Sequence, residues 1–327
     1  MPWVLKGGLS VGLISWVLSK VDLASAWAQA KAIDPWMLVA AIGLMIVQIG
    51  LGAVRWGMVL RVLGAAFSWA QTVAVYYIGV FFSLVLPGAV GGDAVRMWFS
   101  RKAGLPLHTA VNSVMLERAV TVYGLVLLVC VTQPILQARV PELPGGWIFQ
   151  ALLAIATVGI LALSVMDRLP ESLGHLRVVR GLAQLAADTR ALFFRPFKAA
   201  ATLAVAMAGH ANLSMAVYLL AIGLNLDIHA LDCLVLVPPV ILAMTLPISI
   251  AGWGVRETAM VTAFGFVGLA PEAALVLSVV FGVVTMATAL PGGLVFLLSG
   301  TRIPVEEMEA EVEAEEEAER ETASANP

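Results

Sequence analysis

The chain has 327 residues, of which 60% are hydrophobic and only 13% are charged, and its formal net charge is −3. Soluble domains are about half apolar and a quarter charged. The composition therefore excludes a water-soluble globule, and the same hydrophobicity excludes an intrinsically disordered chain. Because the apolar residues fall in runs close to the ~20 residues that cross a bilayer as a helix, we predict an all-α, polytopic membrane protein.

The first apolar run covers residues 3–19 and has some features of a signal peptide, with Lys6 near its start and Ala24-Ser25-Ala26 after it. Lys20 and Asp22 interrupt the path to that cleavage site, so we interpret the run as a retained first helix, with cleavage as the alternative. Further apolar runs lie at about 35–60, 69–86, 107–133, 146–166, 199–224, 231–248 and 272–299. Two shorter stretches, at about 91–104 and 254–268, follow Gly/Pro breaks.

A polar linker at 167–198 separates the apolar runs. Leu176, Val179, Ala183 and Ala186 share one helical face, which predicts an amphipathic helix on the membrane surface. The excess of basic residues predicts a cytoplasmic location for the linker. These basic residues are Arg168, Arg177, Arg180, Arg190, Arg195 and Lys198.

An acidic segment at 304–327 follows the predicted membrane domain at 1–303. Removing its ten Glu and Arg320 leaves 12 acidic and 18 basic residues, a positive excess that suits anionic lipid head groups or simply sets topology. Like charges repel one another, so we predict a disordered tail, which either solubilises the protein or docks a basic partner. We expect the tail to face the cytoplasm from a multi-pass protein of the cytoplasmic (inner) membrane.

An internal repeat relates the two halves of the chain. The segment LPGAVGGDAVR at Leu86–Arg96 matches LPISIAGWGVR at Leu246–Arg256 in five positions under a shift of 160 residues. The same shift maps the apolar runs of the first half onto or near those of the second half. We therefore predict two structural repeats, at about 1–133 and 146–299.

Two topologies fit such repeats. If all eight long runs span the membrane, each repeat crosses four times and the repeats are parallel. If 69–104 and 231–268 are re-entrant helical hairpins, each repeat crosses three times and the repeats are inverted. We favour the inverted arrangement, because it distributes the basic residues slightly better and provides two matched gates for alternating access.

Proline and glycine break both hairpins, since they end helices and permit tight turns. Broken backbone at membrane depth persists only against protein or a wet cavity. The positive N-terminus of the helix that restarts near residue 91 would face that cavity and favour an anion. The predicted hinge residues are Pro87, Gly88, Gly91, Gly92, Pro247, Gly252 and Gly254.

Both hairpins also carry an arginine. Arg96 lies in an early helical turn, where a guanidinium can bind phosphate through two parallel hydrogen bonds, and Asp93 one turn earlier could orient it. In the second copy Arg256 is followed by Glu257, a balancing charge. The alternative interpretation is an interfacial turn at which Arg96 and Arg256 snorkel to lipid head groups.

Glu117 and Arg118 lie inside an apolar run, where charges are expensive and mark a cavity or a pairing site. Adjacent residues diverge on a helix, so Arg118 could contact lipid phosphate while Glu117 pairs with another arginine. A structural ion pair is the alternative. Arg55 is another charged residue within an apolar run. Because it lies near a helix end, snorkelling to lipid head groups explains it as well as binding does. His210 and Asn212 are predicted to hydrogen-bond between helices or to line a transport pathway.

Arg55-Trp56, LPGAVGGDAVR, Glu117-Arg118 and GWGVRE at 252–257 together resemble the lysylphosphatidylglycerol synthase transmembrane (UPF0104) family, over about residues 1–300. That family includes the flippase domain of bacterial multiple-peptide-resistance proteins. The resemblance implies translocation of an aminoacylated phosphatidylglycerol or of a polyprenyl-phosphate-linked lipid. It carries over as substrate-binding positions Arg55, Asp93, Arg96, Glu117, Arg118, Arg256 and Glu257.

We thus expect a non-enzymatic lipid flippase, in which Arg96 and Arg256 hold the phosphate from opposite sides while the acyl chains stay in the bilayer. The bifunctional relatives continue into a soluble aminoacyltransferase domain, and we do not expect this chain to make the aminoacyl lipid. We expect a lipid substrate, no cofactor, no metal and no nucleic acid. Possible protein partners are a second copy of the chain, in a homo-oligomer, and a separate lipid-modifying synthase. The alternatives are a membrane-embedded polyprenyl-phosphate glycosyltransferase, a scaffold or regulator, and a small-solute or ion transporter.

Overall fold

The computed structural model describes residues 28, 31–65, 67–85, 91–139, 147–168, 177–245 and 254–299. These residues form ten α-helices and one short 3₁₀ turn, without a strand, so the all-α prediction is confirmed. The helices are α1 (Pro35–Val62), α2 (Trp69–Val85), α3 (Gly91–Lys102), α4 (Leu107–Arg139), α5 (Trp147–Leu163), α6 (Arg177–Phe193), α7 (Pro196–Gly223), α8 (Ala230–Met244), α9 (Val255–Gly265) and α10 (Pro271–Leu298). The predicted helix at 3–19 and the tail at 304–327 lie outside the described residues.

Four of these helices, α1, α4, α7 and α10, are long and apolar enough to cross a bilayer. The shortest has 28 residues, which at about 1.5 Å per residue exceeds the ~30 Å hydrocarbon core. Helices α2, α5 and α8 are apolar but shorter. Helices α3 and α9 have only 12 and 11 residues, too few to cross alone. The chain is therefore a multi-pass membrane protein.

The start of α1 is fixed to the end of α7. Asp34 caps α1, because its Oδ1 accepts hydrogen bonds from the backbone N–H groups of Trp36 (2.7 Å) and Met37 (3.2 Å), and Pro35 suits the first helical position. The backbone N–H of Asp34 donates to the carbonyl of Gly223 at 2.8 Å. From this junction α1 and α7 pack along each other, and theirs is the most extensive contact between two of the described helices.

The helix pattern follows the predicted duplication. A shift of 160 residues maps α1, α2, α3 and α4 onto α7, α8, α9 and α10, with every helix end within four residues of its image. The predicted hinges Pro87, Gly88, Pro247 and Gly252, and with them both hairpin tips, lie outside the described residues. The inverted, re-entrant topology accordingly stays a prediction.

Helix α6 packs its apolar face against other helices of the bundle. Leu185, Ala186, Thr189 and Leu192 are buried, and the leucines join a core cluster with residues of α1, α4 and α7. The side chains of Leu176 and Val179 lie outside the described residues. The amphipathic helix predicted in the linker is present, but the described part of its apolar stripe packs on the bundle rather than on lipid.

Helices α2 and α10 approach so closely that a glycine is required between them. A Cβ atom at Gly292 would lie 2.3 Å from the backbone carbonyl oxygen of Tyr77. The hydroxyl of Tyr77 in turn donates to the carbonyl of Thr288 at 2.7 Å. Helix α2 is thereby held against α10.

This contact predicts that Gly292→Ala destabilises the protein, by about 1–3 kcal/mol for overpacking. Gly50→Ala in α1 is the matched control, because a Cβ there meets nothing within 4 Å and alanine favours a helix. Thermal unfolding in detergent can be followed by labelling of the buried thiol of Cys233. Equal melting temperatures for the two variants would contradict the tight α2–α10 contact.

Candidate functional site

Five of the seven predicted substrate-binding residues meet inside the bundle, and we refer to them as the charged cluster. Arg55 comes from α1, Asp93 and Arg96 from α3, and Glu117 and Arg118 from α4. Arg55, Asp93, Arg96 and Glu117 are each at most 7% exposed, whereas the side chain of Arg118 is 49% exposed. The sequence alone does not show that these residues lie close together. The packing of α1, α3 and α4 brings them into one cluster.

Glu117 bridges two arginines at the centre of the cluster. Its Oε1 accepts hydrogen bonds from Nε (2.9 Å) and Nη2 (2.5 Å) of Arg55. Its Oε2 accepts one from Nη1 of Arg96 at 3.1 Å, and the hydroxyl of Thr121 donates to Oε1 at 3.1 Å. The prediction that Glu117 pairs with another arginine is confirmed. The snorkelling interpretation of Arg55 is wrong, because its guanidinium turns inward to this carboxylate.

Asp93 makes its short contact with Arg118 rather than with Arg96. Its Oδ2 accepts a hydrogen bond from Nε of Arg118 at 2.6 Å, while the distance from Oδ1 to Nη1 of Arg96 is 3.4 Å. The predicted orientation of Arg96 by the residue one turn earlier is therefore only a weak contact. Since Glu117 and Arg118 leave α4 in different directions, their side chains bind different partners.

Arg96 lies between two aromatic rings. Its guanidinium carbon is 4.6 Å from the centroid of Trp56 and 4.8 Å from that of Tyr76, distances at which a cation is attracted to an aromatic face. Its Nε and Nη2 atoms are buried without a hydrogen-bond partner. A Cβ at Gly79 would lie 2.5 Å from Cγ of Arg96, so glycine makes room for the side chain.

The charged cluster borders a cavity of about 210 Å³, which we call the polar chamber. One water needs only ~10–15 Å³ of such space, so a hydrated group the size of a phosphate fits. With all five residues charged, three arginines face two carboxylates, and the single positive excess favours an anion in this low-dielectric setting. The remaining lining residues are Gln48, Tyr76, Gly79, Val80, Ser83 and Thr121.

Arg256 and Glu257 form a separate, electrically neutral pair at the start of α9. Oε1 of Glu257 accepts hydrogen bonds from Nε (3.0 Å) and Nη2 (2.6 Å) of Arg256, and the hydroxyl of Ser278 lies 3.3 Å from both side chains. The predicted role of Glu257 as balancing charge is confirmed. Arg256 lies outside the polar chamber and lines a neighbouring one, where it packs on Gly282.

The three described hinge residues have different roles. Gly254 has a φ of 84°, a left-handed conformation that favours glycine, and its N–H donates to Oε2 of Glu257 at 2.6 Å. Gly91 and Gly92 lie in the first turn of α3. A Cβ at Gly92 would lie 2.2 Å from the carbonyl oxygen of Gly79. Gly92 thus serves the close packing of α2 and α3 rather than a bend.

His210 and Asn212 connect α7 to its neighbours, as the sequence predicts for helix-to-helix contacts. Nε2 of His210 is 3.1 Å from the carbonyl oxygen of Thr121. The side-chain amide of Asn212 donates to the carbonyl of Leu44 at 2.9 Å and to Oε1 of Gln48 at 3.3 Å. These contacts support two walls of the polar chamber. Within the described ranges, no three His, Cys, Asp or Glu residues are grouped to hold a metal ion.

The fold and this site define a multi-pass helical membrane protein with a positively charged chamber in its interior. The sequence matches the family described as Lysylphosphatidylglycerol synthase TM region over residues 3–293. The chain belongs to that family, which confirms the resemblance and supports a role that involves membrane lipid. The search of curated proteins found no match.

The bridging contacts predict that Glu117→Gln strongly destabilises the protein, because Arg55 and Arg96 would keep buried charges without their carboxylate. Breaking a buried pair costs about 3–5 kcal/mol. Asp227→Asn removes a carboxylate from an exposed loop and is the matched control, with an expected change within about 0.5 kcal/mol. Unfolding in mixed micelles measures both, and a Glu117→Gln protein as stable as the control would show that the bridge is dispensable.

Proposed function

We propose that this protein translocates a lipid with an anionic head group across the cytoplasmic membrane, without chemical change to the lipid. The observation that carries the proposal is the polar chamber, which three arginines and two carboxylates line inside the helix bundle. A charged group in hydrocarbon is costly unless it finds a partner there. The chamber would supply that partner partway through the crossing.

The residues of the charged cluster would have different roles in binding the lipid head group. Glu117 holds Arg55 and Arg96 in place, so these two arginines contribute fixed positive charge. Arg118 is half exposed and lines the chamber, which makes it the residue we expect to contact the head group. Asp93 orients Arg118 through the 2.6 Å contact to Nε.

A phosphate is the head-group component that fits this arrangement best. Both carboxylates in the cluster already contact arginines, so they have little left to offer a cationic amino-acid group. The charge excess is positive, and a guanidinium binds phosphate through parallel hydrogen bonds. Phosphatidylglycerol derivatives and polyprenyl-phosphate-linked lipids share this phosphate.

The proposal also includes alternating access, with the two hairpins as gates. Helices α2 and α3 carry one wall of the polar chamber, with Tyr76, Gly79, Asp93 and Arg96 on it. Movement of this pair relative to α4 would open or close the chamber. It would break the contacts of Arg96 with Glu117 and of Asp93 with Arg118, while the Arg55–Glu117 bridge between α1 and α4 stays in place. The support for this step is the placement of the residues, together with the predicted repeat.

A leaflet assay tests the proposal directly. Purified protein in liposomes should expose fluorescently labelled phosphatidylglycerol of the inner leaflet to an external quencher faster than empty liposomes do. Arg118→Gln should slow this by about tenfold or more, since a hydrogen bond to a charged group is worth about 1.5–3 kcal/mol.

Arg61→Gln is the matched control, because Arg61 is exposed and stacks on Trp69 away from the polar chamber. This variant should flip lipid at the parental rate. Equal rates for Arg118→Gln and the parent would exclude head-group contact at Arg118. A parent that flips neither phosphatidylglycerol nor a polyprenyl phosphate would overturn the proposed function.

A further inference from the structure

A second cavity adjoins the polar chamber and differs from it in chemistry. It has a volume of about 270 Å³, and its walls are almost entirely apolar; we call it the apolar chamber. The residues that make it apolar come from α1, α2, α7, α8 and α10, and include Met45, Val80, Leu213, Ile241, Met244 and Phe281. Among the described residues that line it, Arg256 is the one charged side chain, and Glu257 neutralises it.

The two chambers share a wall. Gln48, Tyr76 and Val80 line both of them. A molecule that crosses this wall would place one part beside the charged cluster and another part among apolar side chains. A lipid is the molecule of the surrounding membrane that has both parts.

The apolar chamber also reaches the outer surface of α10. Met286 lines it and is 44% exposed. Nearby exposed residues on the same helix, Val283 and Leu290, are apolar, as expected for a surface that faces hydrocarbon. We therefore expect acyl chains rather than water at this rim.

We infer that the apolar chamber binds one hydrocarbon chain of the lipid whose head group occupies the polar chamber. The inference rests on the proposed function and assigns a second part of the substrate to a second site. It differs from the expectation that the acyl chains stay wholly in the bilayer. The lipid would then be held at both ends while the head group is inside the protein.

The attraction between a hydrocarbon chain and the apolar chamber would come from close packing of the chain against the chamber walls. Most of the chamber wall is apolar, so water finds few polar partners over most of its surface. Moving a chain from bilayer to protein brings no hydrophobic gain, so dispersion contacts with close-fitting walls supply the attraction. Three methionines, Met45, Met244 and Met286, line the chamber, and their flexible side chains adapt to chains of different shape.

Photo-crosslinking tests the inference with the full chain in nanodiscs. The probe is phosphatidylglycerol that carries a diazirine near the end of one acyl chain, and the modified residues are mapped by mass spectrometry. We expect modification of chamber residues on α8, such as Ile241 and Met244. A diacylglycerol with the same chains lacks the phosphate and should modify these positions less.

Two variants fill or block the chamber. Ile241→Trp overpacks its interior and should lower crosslinking at Met244 by about tenfold. Met286→Trp lies at the exposed rim, where a large side chain is tolerated, and should lower it as well. Leu290→Trp adds the same bulk to the outer surface of α10, where Leu290 is 62% exposed, and should leave crosslinking unchanged.

The outcomes separate this inference from the proposed function. Crosslinks restricted to outer-surface residues, or equal chamber labelling by phosphatidylglycerol and diacylglycerol, would overturn the inference even if Arg118-dependent flipping is observed. Chamber labelling that depends on the phosphate and falls in both tryptophan variants supports the inference. If such a protein moves no lipid between leaflets, the proposed translocation fails while the chain site stands.

Discussion

The structure depends on one carboxylate that two arginines share inside the membrane. Glu117 contacts Arg55 on α1 and Arg96 on α3 from its position on α4. None of these three charges is stable alone in a low-dielectric interior, so each helix requires the other two. The bridge therefore fixes the three walls around the polar chamber, and Asp93 and Arg118 attach to it as a second pair. Apolar residues could give similar stability at these positions, so the charges fit the lipid binding that we propose.

The two halves of the chain share a helix pattern but differ in chemistry. Under the shift of 160 residues, the positions of Arg55, Glu117 and Arg118 correspond to Met215, Leu277 and Ser278. The second half keeps one arginine of the repeated segment, Arg256, and neutralises it with Glu257. The first half thus provides the charged cluster of the polar chamber, while both halves line the apolar chamber. The proposed head-group site and the inferred chain site therefore lie side by side.

Much of the fold could be predicted from the sequence, because helices that cross a bilayer need long apolar runs and charged residues within them are costly. The runs at 35–60, 69–86 and 107–133 begin at the first residues of α1, α2 and α4. What the runs do not reveal is which neighbour each helix faces. For that reason the sequence predicts α6 on the membrane surface and allows Arg55 to snorkel, whereas the structure packs α6 on the bundle and pairs Arg55 with Glu117.

The charged residues of the site could be predicted from the sequence, whereas its uncharged lining residues could not. Charged residues within apolar runs stand out, and five of them form the cluster. Gln48, Tyr76, Gly79 and Thr121 also line the polar chamber, but each is unremarkable in a membrane helix. Their role follows only from the packing that directs them inward. A symmetric repeat predicts that Arg96 and Arg256 bind one phosphate from opposite sides, whereas the structure places the two arginines in adjacent chambers.

The most direct test of this account is the distance between lipid phosphorus and arginine nitrogen in the membrane. Solid-state NMR on protein with ¹⁵N-labelled arginine, in bilayers of phosphatidylglycerol, measures dephasing between ³¹P and guanidinium ¹⁵N. The account predicts a close contact that disappears in Arg118→Gln and persists in Arg61→Gln. Dephasing that Arg118→Gln leaves intact would mean that the phosphates contact surface arginines only, and would contradict a head group bound in the polar chamber.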